Sequence, residues 1–456
     1  MFDGLFGAGP VNVGDEAWLQ AMLDAEAALA RAAERAGLAG AGTGEAVTAA
    51  ARADHFDRGE LGRQAALTGN PVPALVRALT RLVPADAARA IHLGATSQDI
   101  IDTAAMLLAG RAIDGIADQM SAAAASAAAL AEVHAGTIMA GRTLLQQAVP
   151  VTFGLVAAGW LTAIDEARQG LHRIRTLRLA VQFGGAAGTL ASLGDGGPAV
   201  AALLAEELGL ALPVLPWHTD RLRIIELAAA LTGVCAVLGK IARDVTLLAQ
   251  SEIAEVREGA GSAGRGGSSA MPHKRNPVAA ILVLGCAKRA PGLLATLAAC
   301  AEQEHQRAAG AWHAEWEPLA DLLRLTGSAA SWSAELLAGL HVDAARMRAN
   351  LDAAGGLPLA EHVAAILAPT IGRLPAHDLV AAAAARAAHG AGLRDSLLAD
   401  PASAAQLAAA GIGQDQIDAA LDPAGYLGAT ATFVRRALGA HRDIEVASEG
   451  GQANVR

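Results

Sequence analysis

The sequence predicts an all-α fold, a long central helical bundle flanked by two smaller helical domains. Three observations lead there. Apolar residues make up 53% of the 456-residue chain and aromatics only 3%. The core is therefore built from Ala and Leu, and Ala joins the best helix propensity to close helix approach. Strand signals are nearly absent, with few β-branched alternations and no Asn-Gly turn between apolar runs. Finally, the middle of the chain holds five unusually long helical stretches.

The first clear helix opens at Asp15, carries Trp18, Leu19, Met22 and Leu23 toward Ala36, and stops at Gly37. The five long stretches follow over Thr103–His134, Pro150–Ala180, Asp220–Glu258, Pro277–Gln303 and Glu315–Leu340. At 1.5 Å rise per residue, ~30 residues extend about 45 Å. Leu227–Gly239 and Val278–Ala287 are apolar nearly all round, which predicts burial on every side. A single five-helix bundle cannot hide that much surface, so bundles are expected to associate between subunits. Beyond Leu351 the pieces shorten and Gly355-Gly356, Pro358, Pro369, Pro375, Pro401 and Pro423 punctuate the chain. The expected domains are 1–102, 103–350 and 351–456, with a lid loop at 259–277 inside the second.

Charge and composition exclude several classes. A formal net charge of −10 without a dense Lys/Arg stripe argues against a nucleic-acid partner. An anionic substrate must then be held by a local cluster of cations. Cys235, Cys286 and Cys300 have no metal-like spacing and read as small buried hydrophobes in a reducing compartment. The start, Met1-Phe2-Asp3-Gly4, lacks a basic n-region, so a cytoplasmic protein is expected. The longest uncharged apolar stretch, Ala148–Ile164, falls short of the ~18 residues a membrane span needs and reads as a buried helix. No membrane partner is expected.

Three segments carry chemistry. Residues 266–277 read Gly-Gly-Ser-Ser-Ala-Met-Pro-His-Lys-Arg-Asn-Pro, poor material for a helix or strand and good material for a loop that closes over an anion. Five glycines within Gly259–Gly267 let the segment move as a lid. Gly259–Gly264 also matches the dinucleotide fingerprint GxGxxG. That motif needs a preceding strand and a helix opening within it, whereas a long helix is expected before it here, so a nucleotide site is rejected. The second segment, His92-Leu-Gly-Ala-Thr-Ser-Gln-Asp99, lies just ahead of a helix. Its hydroxyls and free N–H groups suit either a carboxylate cradle or plain capping. The third is Gly141-Arg142-Thr143-Leu144-Leu145-Gln146. Arg142 sits in a stretch nearly uncharged from Gly136 to Ile164, and an isolated cation in apolar surroundings needs an anion.

Residues 266–277 resemble the signature of the fumarase/aspartase superfamily at twelve consecutive positions, and Thr96-Ser97-Gln98-Asp99 and Gly141-Arg142-Thr143 resemble its other two active-site segments. The resemblance implies a fumarase/aspartase-like fold, a homotetramer, and active sites whose three segments come from three different chains. It implies Ser268, Lys274 and Asn276 as catalytic residues. Substrate contacts are implied for Thr96, Ser97, Gln98, Arg142, Thr143, Gln146, Met271, His305 and Arg307, with His305 equally readable as structural. His273 and Arg275 share the loop, with solvent as their alternative environment.

Two departures point to one branch. The superfamily commonly carries a His where this chain has Leu144, and a Glu seven residues after the signature Lys, where it has Ile281. That pair handles the proton of departing water or amine, which needs general-acid help. A carboxylate leaves as a stable anion and needs none. A lactone opened by β-elimination has such a leaving group, and the 3-carboxy-cis,cis-muconate cycloisomerase branch runs that reaction. Leu67–Val76, Gly141–Trp160, Glu304–Trp316 and Gly425–Gly428 resemble this branch as well, although an aromatic is expected at position 144. The implied substrate is a small tricarboxylate. No metal is implied, since no ligand spacing such as HExxH occurs, and no organic cofactor either. An adenylosuccinate-type lyase would need the missing His and Glu. A catalytically silent structural tetramer is opposed by the joint retention of Ser268, Lys274 and Asn276.

Overall fold

The computed structural model of the chain describes residues 2–259, 266–267, 271, 273–387, 390 and 392–453. It forms two compact units. One comprises Met1–Ser121, Glu166–Lys240 and Ile281–Ala334, the other Ala122–Asp165, Ile241–Ala280 and Glu335–Arg456. The fold is helical as expected, with two small antiparallel two-stranded sheets among the described residues.

Helix α1 spans Asp15–Arg35, with Asp15 and Glu16 in its first turn and Arg35 in its last, charges that complement the helix dipole. It buries Leu19, Leu23 and Leu29 against Val72, Leu75, Leu79 and Phe183 in the core of the first unit. Gly37 ends it as predicted. At φ 75° Gly37 donates to the Glu34 carbonyl while Leu38 donates to that of Ala33, a Schellman closure.

The five long helices are α2 (Ser97–Val133), α3 (Phe153–Leu177), α4 (Leu222–Leu248), α5 (Val278–Ala299) and α6 (Trp316–Ala338). Helix α2 is the longest, 37 residues, and Ile100, Ala104, Leu108, Ile113, Met120, Ala124 and Ala131 are buried along its length. Helices α4 and α5 are long and apolar enough to cross a membrane. Yet only 50% and 33% of their most apolar windows are covered within this chain. A smaller apolar core in the second unit gathers Val363, Leu367, Leu379, Val380, Leu393 and Leu397 of the C-terminal helices.

Two local expectations fail, each for a physical reason. Pro150 does not open a helix. It pairs with Ala140 in a hairpin of β1 (Ile138–Thr143) and β2 (Gln146–Thr152), beside a register shift between Ala140 and Arg142 where a missing N–H is tolerated. The hairpin turns on Leu144 and Leu145, at φ 52° and 65° and 97% and 76% exposed. Such turns normally carry Asn-Gly, and here the usual signal is missing. Helix α4 also stops ten residues early, at Leu248. Ala254 then takes φ 52° and leads into β3 (Val256–Glu258), which pairs with β4 (Leu340–Val342). A short strand, rather than the expected helix, thus precedes the GxGxxG match. That match falls almost wholly outside the described residues, and β3 pairs only with β4, so no βαβ unit surrounds it among them.

Candidate active site

In the first unit, the start of α2 brings Thr96, Ser97 and Gln98 together with Arg307. Asp99, third residue of the helix, reaches back to the Thr96 N–H at 3.0 Å, half of a capping box. Its carboxylate also accepts the N–H groups of Gly184 and Gly185 and lies 2.6 Å from His218 Nε2. Asp99 is thereby fixed as the anchor of the segment. The Thr96 and Ser97 hydroxyls make no hydrogen bond among the described residues and stay half-buried at the helix N-terminus. Gln98 is buried; its amide donates to Asp102 (3.1 Å) and the His218 carbonyl (2.8 Å), and its oxygen accepts from Arg307 Nη1 at 2.8 Å. Arg307 also donates to the carbonyls of Gly185 and Ala186 and touches no carboxylate among the described residues. Burial lowers its pKa against the pull of Asp99 and Asp102, and this half-buried cation has no anion in contact among the described residues. His305 is exposed, at φ 47°, with its carbonyl accepting from the Thr219 hydroxyl.

Behind these residues lie buried ion pairs that the sequence did not announce. Arg221 meets Asp102 at 2.8 Å and Glu315 at 2.5 Å, all three almost fully buried. Burial raises the Glu315 pKa and Arg221 opposes it. His92, at φ 58°, places Nδ1 2.7 Å from the fully buried Glu26, which also accepts the His92 N–H. A signal existed, since Glu26 is the only charge between Leu19 and Ala30 besides Asp24, on a helix otherwise apolar there. A buried carboxylate requires a partner.

The His92–Glu26 pair makes a pH prediction. Burial alone would depress the imidazolium, but the Glu26 hydrogen bond and charge, with Asp99, hold its pKa above the ordinary 6.5. A raised folded-state pKa gives stability that is complete below the unfolded value and lost as pH rises through the folded one. Glu26→Gln should therefore narrow its stability gap to the parent protein as pH climbs from 6 to 8.5. Urea titrations across that range check it, and a constant gap would count against a charged His92.

In the second unit, Arg142 finds an anion, Glu255, 113 residues away in sequence. The fork is bidentate, Nη1–Oε2 2.9 Å and Nη2–Oε1 2.6 Å, and the buried carboxylate also accepts from Asn350 at 2.8 Å. Arg142 Nε–H makes no hydrogen bond among the described residues. Thr143 and Gln146 face each other across the turn, both exposed. Ser268 lies outside the described residues, as does most of the expected lid. The described neck shows how the loop is held. Gly267 bridges to Arg275, and the Gly266 carbonyl accepts both the backbone N–H (2.8 Å) and the side-chain amide (3.2 Å) of Asn276. Met271 and Lys274 are exposed. Glu258 then caps α5 by accepting the N–H groups of Ala279 and Ala280. Burial pushes the Cys235 thiol up to about 12 despite its Thr326 hydrogen bond, which makes it a poor nucleophile.

Comparison with known proteins decides the family. The model of a lyase family matches residues 11–292, well over half of the chain. The chain belongs to this lyase family. A second match, described as the adenylosuccinate lyase C-terminus, covers residues 356–437. Over 97% of both chains, this chain is 48% identical to a 3-carboxy-cis,cis-muconate cycloisomerase of Pseudomonas aeruginosa. It is 46% identical to a nitrosuccinate lyase of Streptomyces davaonensis, over 94% of this chain and 91% of that one. The crystal structure of a 3-carboxy-cis,cis-muconate lactonizing enzyme from Pseudomonas putida superposes with a TM-score of 0.90 at 43% identity, covering 98% of this chain and 99% of that one.

Proposed function

We propose that the chain is a 3-carboxy-cis,cis-muconate cycloisomerase, closing a tricarboxylate muconate reversibly to 4-carboxymuconolactone in the cytoplasmic breakdown of protocatechuate. One observation carries the reading. Near full-length similarity to such enzymes coincides with aliphatic Leu144 and Ile281 where the wider superfamily carries its His and Glu. In the forward step a substrate carboxylate oxygen forms a C–O bond to an alkene carbon. The π pair moves to the neighbouring carbon, which then takes one proton. No second relay is needed, because the nucleophile arrives deprotonated.

The tricarboxylate would be seated by Arg307, the Thr96 and Ser97 hydroxyls, Arg142 held in orientation by Glu255, and Lys274 and Asn276 on the loop, with Gln98, Thr143, Gln146, Met271 and His305 around it. We assign these residues to one site shared between subunits of a homotetramer. Helix α2 starts at Ser97 and runs 37 residues, about 55 Å at 1.5 Å each, before the hairpin of Arg142. Segments at the two ends of one such rod serve a common site through neighbouring chains. The half-covered apolar surfaces of α4 and α5 favour the same association. The domains are taken as 1–102, 103–350 and 351–456.

A second reading is favoured by the same missing pair. Elimination from a nitrosuccinate would expel nitrite, another weakly basic anion that leaves without a general acid, and one relative bears that activity in its name. Purified protein incubated with each substrate separates the two. Loss of muconate ultraviolet absorbance without nitrite release is expected. Nitrite release with the muconate untouched would overturn the cycloisomerase reading.

A further inference from the structure

We propose that the chain carries a second anion site, for a compact tricarboxylate, in the cavity beneath the neck of the signature loop. The cavity measures about 490 Å³ and is walled by β3, β4 and the loop neck at Arg275–Pro277. That size falls within the roughly 300–1,000 Å³ of small-molecule sites.

Its ionisable groups are unevenly partnered. Five ionisable side chains line it: Arg257, Arg275, His341, Glu258 and Asp343. Both carboxylates are engaged with helix starts. Glu258 accepts the Ala279 and Ala280 N–H groups, and Asp343 accepts that of Arg346 at 2.8 Å as N-cap of the helix Ala344–Asp352. Each thus has its negative charge offset by the positive end of a helix dipole. The three basic side chains, by contrast, form no hydrogen bond or ion pair with another side chain among the described residues.

Placement strengthens the point. Arg257 and His341 are direct partners across the β3–β4 ladder, so their side chains stand on one face of the sheet. Two basic groups opposite one another gain nothing from each other, and an anion between them turns that arrangement favourable. Arg275 enters from the neck, where its backbone bridges to Gly267. A tricarboxylate touching all three would tie the base of the loop to β3. This site lies outside the substrate-holding residues assigned above apart from Asn276, and it does not depend on the proposed reaction.

Calorimetric titration of the whole protein with citrate as probe tests the assignment. Citrate should bind the parent protein, and Arg257→Gln should weaken it roughly ten- to hundredfold, the worth of one charge-assisted hydrogen bond. Lys274→Gln, which alters the catalytic loop and not the cavity, should leave citrate binding in place. His341→Gln provides a second variant should Arg257→Gln fail to fold by circular dichroism. Absence of citrate binding to the parent protein would overturn the proposal. So would loss of binding in Lys274→Gln with retention in Arg257→Gln, because citrate would then occupy the catalytic site.

Discussion

Ser268→Ala is expected to lose at least about 10²–10⁴-fold in turnover, the usual contribution of a positioned proton donor, while keeping most of its substrate affinity. The assignment rests on the superfamily resemblance of the Ser268-Ser269 pair, in which the first serine is the catalytic one. Attack by the substrate carboxylate leaves charge on the carbon beside another carboxylate, a dianionic enolate-like species. Donors aimed at that charge lower the barrier most in a closed, dry site. On the proposed reading, Lys274 and Asn276 of the signature loop would supply such donors. A serine is a weak acid, so its alkoxide would also need stabilisation, which this reading assigns to the Lys274 charge. Ser269→Ala is the paired control, expected to keep activity. The reverse pattern would move the role to Ser269, and two active variants would place the proton donor elsewhere.

Arg221→Met should destabilise the protein by about 3–5 kcal/mol, the cost of stripping a buried ion cluster of its cation. Asp102 and Glu315 would remain buried with like charge, supported among the described residues by neutral donors. Trp312 Nε1 and the Gln98 amide donate to Asp102, and the Gln303 amide donates to Glu315. Each carboxylate would have to protonate or draw in water. Because Gln98 also holds Arg307, the damage should reach the cation proposed to hold substrate and raise the Michaelis constant in whatever fraction still folds. Urea unfolding of the two proteins measures the stability term. A loss below about 1 kcal/mol would mean that the cluster is solvated in solution and contributes little.

Local signals carried the helices well and the connections poorly. The start of α1 and its stop at Gly37 follow from charge placement and one left-handed glycine, both readable in a few residues. The end of α4 does not, because Ala249–Glu255 contains no Gly or Pro to announce a break. The chain turns there so that Glu255 can meet Arg142, a requirement set by a residue 113 positions away. The hairpin was missed for a related reason. A Leu-Leu pair in left-handed conformation, at about 1–2 kcal/mol per residue, is held by surrounding structure rather than by local preference. Among the proposed site residues, the polar segments stand out because Ser, Thr, Asn and Lys between glycines have few structural uses. The buried groups Glu255, Arg221 and Glu315 do not, because each owes its partner to tertiary contact.

The length of α2 has an evolutionary consequence. Inserting one residue into a helix rotates everything beyond it by about 100° and advances it by 1.5 Å. In a helix buried along 37 residues, such a change would turn Ile113 and Met120 out of their packing and bring polar neighbours in. Seven residues restore the facing to within about 20°, yet they lengthen the rod by roughly 10 Å. Every chain that docks segments from both ends of this helix into shared sites would have to accept that extension at once. Substitutions can accumulate along α2 while its residue count stays locked, so insertions and deletions among homologues should fall in the connecting loops and the C-terminal helices.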